Sequence, residues 1–156
     1  MAARFRAAID GGARGNPGPA AWGVAILDEA GNYLEGFAGS LGRATNNVAE
    51  YHGLLEALRL GAERGAEEVE IRADSELVVR QMEGRYRVRH ASLVPLFDEA
   101  RRRARSFRSF RIVHVPRADN RAADRLVNQA LDRAVAVPEE TVRIHETTEG
   151  AGAAAP

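Results

Sequence analysis

Residues 4 to 39 carry three successive runs of strand-like hydrophobicity on short connections, after which the pattern changes to helical spacing. The first, RFRAAID (4–10), alternates Phe5, Ala7 and Ile9 with other residues and is expected to stop in a turn at Gly11-Gly12. The loop GGARGNPGPA follows, then AWGVAILD (21–28) and NYLEGFAG (about 32–39), joined by the turn Glu29-Ala30-Gly31. Three strands so connected predict an antiparallel meander. From Asn47 to about Arg64, Leu54, Ala57, Leu58 and Gly61 share one helical stripe that Gly65 ends. EEVEIRAD (67–74) alternates as a fourth strand, and SELVVRQM (75–82) is a short helix begun by Asp74 or Ser75. Ser92 to about Arg105 is a further helix carrying Leu93, Leu96, Phe97 and Ala100, and SFRIVHV (109–115) is a fifth strand. The last helix, about Asp119 to Val135, turns Ala123, Leu126, Val127, Ala130, Leu131 and Ala134 inward. The expected architecture is α/β: a five-stranded mixed sheet, three antiparallel strands first, flanked by about four helices within residues 1–136. Residues 137–156 lose periodicity and end in small residues, and are expected to be a disordered tail or a truncated linker.

At 156 residues the chain supports one hydrophobic core. It has no cysteine, which removes disulfides, thiolate zinc sites and cysteine nucleophiles. Lysine is absent too, so Schiff-base chemistry and a Walker-type phosphate loop are excluded. No segment approaches the ~20 apolar residues of a membrane span, and the start lacks a signal-like apolar stretch, so a cytoplasmic protein without a membrane role is expected. Net charge is zero but unevenly spread. Residues 80 to 125 hold 13 Arg against 5 acids, a basic stretch able to grip phosphates, while a solvated helix face is an equal reading for Arg101 to Arg105.

Four acids stand out against that background. Each has a plain structural explanation: Asp10 as a turn residue before two glycines, Glu50 as the acid of a capping box begun near Asn47, Asp74 as an N-cap. Yet Glu50 falls on the stripe of Leu54, Ala57 and Leu58, and Asp124 on that of Val127 and Leu131. A carboxylate facing an apolar interior costs several kcal/mol unless it is paired or holds a metal. With Asp10 and Asp74 at strand ends, the four are expected to converge at one edge of the sheet, where oxygen ligands suit magnesium. Two ions held there activate a water and stabilise the leaving oxygen of an in-line displacement.

The segments IDGGARGNPGPAAWG, TNNVAEYHGLLEAL, IRADSELVVRQM and VPRADNRAADRLVNQAL, in that order, resemble the type 1 ribonucleases H over about residues 4 to 135. The resemblance implies a ribonuclease H-like fold and a catalytic domain over 1–136. It also implies a metal-binding quartet at Asp10, Glu50, Asp74 and Asp124, holding two Mg2+ ions for which Mn2+ often substitutes. The implied reaction is endonucleolytic hydrolysis of the RNA strand of an RNA/DNA hybrid, leaving 3′-hydroxyl and 5′-phosphate ends. By position, Gly11, Gly12, Asn46 and Glu76 lie beside the RNA strand, and Asn16 and Thr45 hold a DNA phosphate. A monomer with no obligatory protein partner is expected.

Two departures stand out. Many relatives carry a histidine in the loop before the last acid, where this chain has Arg117; proton transfer or product release, a phosphate contact and a plain surface residue are all open for it. His114 nearby is expected to be structural, and Trp22 a packing residue. The path from Met82 to Leu93 leaves no room for the extra basic helix of some relatives, a role open to Arg85, Arg87 and Arg89. Two further functions stay in view: cleavage of duplex RNA on the same fold, and a hybrid-binding module without catalysis, against which the intact quartet argues.

Overall fold

The meander forms as the alternation predicts in the computed structural model, which describes residues 3–148. Strands β1 (Arg4–Ala13), β2 (Gly18–Leu27) and β3 (Tyr33–Ala44) pair antiparallel in sequence order. Helix α1 (Asn46–Glu63) follows, then β4 (Glu68–Ala73), α2 (Glu76–Met82), α3 (Val94–Arg105), β5 (Ser109–His114) and α4 (Arg121–Ala136). Both β4 and β5 join in parallel, so the sheet is mixed.

Strand alternation divides the core in two. Phe5, Ala7, Ile9, Trp22, Val24 and Ile26 point to the face covered by α1 with α2 and α3, where Leu54, Ala57, Leu58, Val78 and Ala100 meet them. The opposite face is built from Ala8, Ala21, Ala25 and Ala38, short side chains that let α4 lie close with Ala123, Leu126, Val127, Ala130 and Leu131. Trp22, 8% exposed, is a packing residue as expected.

Two expectations are corrected. The first strand does not turn at Gly11-Gly12: both residues stay in the ladder, opposite Trp22 and Ala21, and β1 ends at Ala13. The sheet also has six strands, in the order β5-β4-β1-β2-β3-β6, rather than five. Strand β6 (Arg143–Thr147) lies inside residues 137–156, expected to be a disordered tail or a truncated linker, and pairs antiparallel with β3. Five residues carry too little periodicity to be read alone, and the partner supplies the order. Ile144 is buried opposite Ala38, the His145 ring stacks on Phe37 at 4.3 Å, and Glu146 accepts hydrogen bonds from Tyr33 Oη (2.6 Å) and Arg125 (2.5 Å). The expectation for residues 149–156 lies outside the described residues.

Candidate active site

The parallel pairing of β1 with β4 ends at Ile9 and Ala73, so the next residue of each chain, Asp10 and Asp74, emerges side by side. Ser75, not Asp74, caps α2, its Oγ accepting from the Val78 amide at 3.2 Å, which leaves the Asp74 carboxylate free of capping duty. Thr45 caps α1 through the Val48 amide (3.2 Å), so Glu50 is not the acid of a capping box. It lies one turn in, on the buried stripe.

Glycine brings that turn onto β1. A Cβ on Gly11 would overlap the backbone of Ala49 and Glu50, and one on Gly53 would stand 2.8 Å from the Asp10 carbonyl oxygen. Only with hydrogen at both positions does α1 come near enough to set Glu50 beside Asp10. Carboxylate oxygens of Asp10, Glu50 and Asp74 lie within 4.8 Å of one another. Asp124, in the first turn of α4, is outside that tight group but lines the same cleft of about 390 Å³.

Asp10 and Glu50 are 8% and 6% exposed. Burial pushes the Asp10 carboxyl from its ordinary 3.8 up to about 6; a hydrogen-bonding interaction with Glu50 offsets part of this, and Asp74 and Asp124 add repulsion. Burial, then the adjacent Asp10, hold the Glu50 carboxyl well above the usual range. Glu50 Oε2 is buried with no hydrogen-bond partner. An orphaned carboxylate oxygen among other acids fits a hard divalent cation that takes oxygen ligands, and no histidine or cysteine joins the cluster to favour zinc among the described residues.

Of the other expected site residues, Gly11, Gly12, Asn46 and Arg117 line the cleft. Asn16 and Thr45 stand at its margin: Asn16 Oδ1 accepts from the Asn46 amide (3.0 Å), and Asn46 Oδ1 accepts from the Ala13 amide (2.8 Å), tying the start of α1 to the end of β1. Glu76 is exposed away from the lining, where its carboxylate accepts from Tyr86 Oη at 3.1 Å. Arg85, Arg87 and Arg89 are exposed on the segment between α2 and α3. Arg85 lies 3.8 Å from Glu83, while Arg87 and Arg89 have no hydrogen-bond or ion-pair partner among the described residues.

Much of the expected basic face is paired off. Glu99 holds both Arg102 and Arg103, Glu83 holds Arg80, and Glu67 and Glu70 lie near Arg108 and Arg111. His114, at the end of β5, is exposed, its ring 3.3 Å from the Asp74 carbonyl oxygen. Sequence reading missed Arg14, Asn47 and Asn128, which also line the cleft. Asn128 was findable: it follows Asp124 by four residues and therefore shares its helix face.

The family model described as "Reverse transcriptase-like" matches residues 8–130. A ribonuclease HI of Halobacterium salinarum is 42% identical over 131 residues, covering 84% of this chain and 66% of that protein. Its crystal structure superposes with a TM-score of 0.80. The chain belongs to the type 1 ribonuclease H family. A bifunctional protein of Mycobacterium tuberculosis is 46% identical over 126 residues, covering 80% of this chain; the chain spans 35% of the length of that relative. The N-terminal ribonuclease H domain of that protein superposes with a TM-score of 0.82 over 87% of this chain and 99% of its own. A further ribonuclease H1, LC11, 44% identical with a TM-score of 0.79 over 84% of this chain and 99% of its own, is solved in complex with an RNA/DNA hybrid. This ribonuclease H domain therefore shares its fold with those proteins.

Proposed function

We propose that the chain is an endonuclease that hydrolyses the RNA strand of RNA/DNA hybrids, leaving 3′-hydroxyl and 5′-phosphate ends. The observation that carries this reading is the convergence of Asp10, Glu50 and Asp74, with Asp124 on the same cleft, in a family member with a relative solved on a hybrid. The four carboxylates would hold two Mg2+ ions, or Mn2+ in their place. When bound, such ions activate a water and stabilise the leaving oxygen of an in-line phosphoryl displacement.

The chain's own groups do the rest. Gly11 and Gly12 present backbone groups to the RNA strand, and Asn46 adds a side-chain amide. Glu76 stands further along the RNA strand, while Asn16 and Thr45 receive a DNA phosphate. Arg117, on the cleft wall, contacts a phosphate or assists product release. Selectivity follows from the 2′-hydroxyl, the donor and acceptor by which a protein tells RNA from DNA at a given site. A groove needing it on one strand and a deoxyribose conformation on the other accepts only a hybrid.

The test is cleavage of labelled hybrid, duplex RNA and duplex DNA with and without Mg2+. Cutting of the hybrid alone, in the RNA strand and only with metal, is the expected result. Cutting of duplex RNA would move the activity to a broader nuclease, and hybrid binding without cleavage under Mg2+ or Mn2+ would make the chain a binding module. A second expectation concerns the unpaired cations. With Arg87→Ala and Arg89→Ala combined, hybrid binding should weaken, and the slope of log K against log salt should fall by about 1 to 2, as each lost phosphate contact releases one fewer counterion. An unchanged slope removes these arginines from the interface.

A further inference from the structure

We infer that Asn120 is a positioning residue that holds the fourth carboxylate, Asp124, and the Arg117 loop against the strand carrying Asp10. The inference rests on the reading that the acidic cleft holds divalent cations. Asn120 stands at the N-cap of α4, where an asparagine side chain ordinarily accepts a hydrogen bond from its own helix. It makes no such bond. The side chain turns inward instead, is 1% exposed, and its Nδ2 donates to the Ile9 carbonyl oxygen at 2.8 Å. Only the NH2 side of the amide can face a carbonyl, so its orientation is fixed, and Oδ1 is left buried with no partner.

A side chain chosen for stability alone would cap its helix and leave no orphaned oxygen. The contact it makes instead is at the point that matters for the site. Ile9 is the last β1 residue paired with β4, and Asp10 follows it. Asn120 thus ties to β1 where β1 and β4 part. Its backbone does the complementary work: its carbonyl oxygen accepts from the Asp124 amide (3.1 Å), starting the turn that carries that carboxylate, and its amide donates to the Arg117 carbonyl oxygen (3.0 Å), closing the 3-10 turn Arg117–Asp119. One residue therefore sets how far Asp124 and Arg117 stand from Asp10. Asp124 lies on the opposite face of the sheet from Glu50, on a helix seated on small alanines, so the Asn120 hydrogen bond adds a directional fix that apolar contact does not supply.

Calorimetric titration of the whole chain with Mn2+, without substrate and at a temperature where near-ultraviolet dichroism shows the fold intact, tests this. Asn120→Ala is compared with Val69→Ala, a buried β4 residue away from the cleft that reports stability loss alone. The expected result is Mn2+ affinity at least tenfold weaker in Asn120→Ala and within twofold of wild type in Val69→Ala. In cleavage assays the Mg2+ needed for half-maximal rate should rise in parallel, with kcat reduced and KM for the hybrid nearly unchanged. Should Asn120→Ala not fold, Asn120→Ser decides, because its hydroxyl caps α4 but is too short to reach the Ile9 carbonyl. Wild-type Mn2+ affinity in the folded variant overturns the inference. A wild-type chain that binds Mn2+ yet cleaves no hybrid sinks the proposed reaction while leaving the Asn120 comparison intact, and one that binds no Mn2+ sinks the metal reading itself.

Discussion

Replacing Asp10 by asparagine should end hybrid cleavage, leave hybrid binding, and make the metal-free protein more stable than wild type. The first two follow from losing a ligand oxygen and a charge at the centre of the cluster. The third follows from what the fold does to that carboxyl. Its ordinary value of 3.8 is raised to about 6, burial being the larger cause and repulsion from Asp74 and Asp124 adding to it. Folding therefore takes up a proton between these values, the folded state binds more protons than the unfolded one, and stability falls as pH rises from about 4 to about 6. Above that window the penalty is complete, about 3 kcal/mol at most for a shift of this size, and a neutral amide avoids it. In a domain of this length the gain is roughly 5–10 °C in Tm. Melting curves in chelator at pH 4 and pH 8 check it: the two proteins should melt together at pH 4 and separate at pH 8, and Mg2+ should raise the wild type more than the variant. Equal melting at pH 8 without metal would show that Asp10 carries no such strain.

This conflict between site and stability also explains which residues were legible in the sequence. Glu50 and Asp124 announced themselves because each interrupts an apolar stripe, at Leu54, Ala57 and Leu58 in one helix and at Val127 and Leu131 in the other. An acid there is an expense that packing does not repay. Asp10 and Asp74 were visible as the residues that end two alternating runs, although β1 itself continues past Asp10 because Gly11 and Gly12 hydrogen-bond across to β2 as any strand residues do. Their conformation is set by the neighbour and not by their propensity. Strand β6 was illegible for the same reason: Arg143 to Thr147 buries Ile144 only, and its order comes from the edge of β3. The arginines were misjudged in the opposite sense. A count along the chain saw a basic face, but Glu99 and Glu83 pair with arginines three or four residues away, a spacing already visible in the sequence, while Glu67 and Glu70 reach Arg108 and Arg111 across neighbouring strands, which only the fold reveals. Glu76 and Arg117 show what resemblance adds and where geometry divides them, since one stands outside the cleft lining and the other within it.

Gly11→Ala should be severely destabilising, and Gly12→Ala, one residue on, should cost little stability. The two glycines are adjacent in the same strand, neither needs a left-handed backbone, and each pairs with a residue of β2. They differ in the face of the sheet that a Cβ would enter. A Cβ at Gly12 would meet only Val127 Cγ1 at 3.9 Å, an ordinary contact. At Gly11 it would enter the backbone of Ala49 and Glu50, which no rotamer change can move. Relief requires lifting the first turns of α1 from the sheet, opening the packing of Tyr51 and Leu54, both fully buried. Overpacking against side chains costs about 1–3 kcal/mol, and against backbone the loss should exceed about 3 kcal/mol, a large share of the roughly 5–15 kcal/mol that holds a domain together. Urea unfolding of both variants measures the difference, and equal midpoints would mean that α1 is not seated on β1 as described. The same displacement carries Glu50 away from Asp10. Any Gly11→Ala protein that does fold should thus bind divalent cation poorly and cleave at background rate, since the hydrogen that lets the helix touch the strand is also what brings the two acids together.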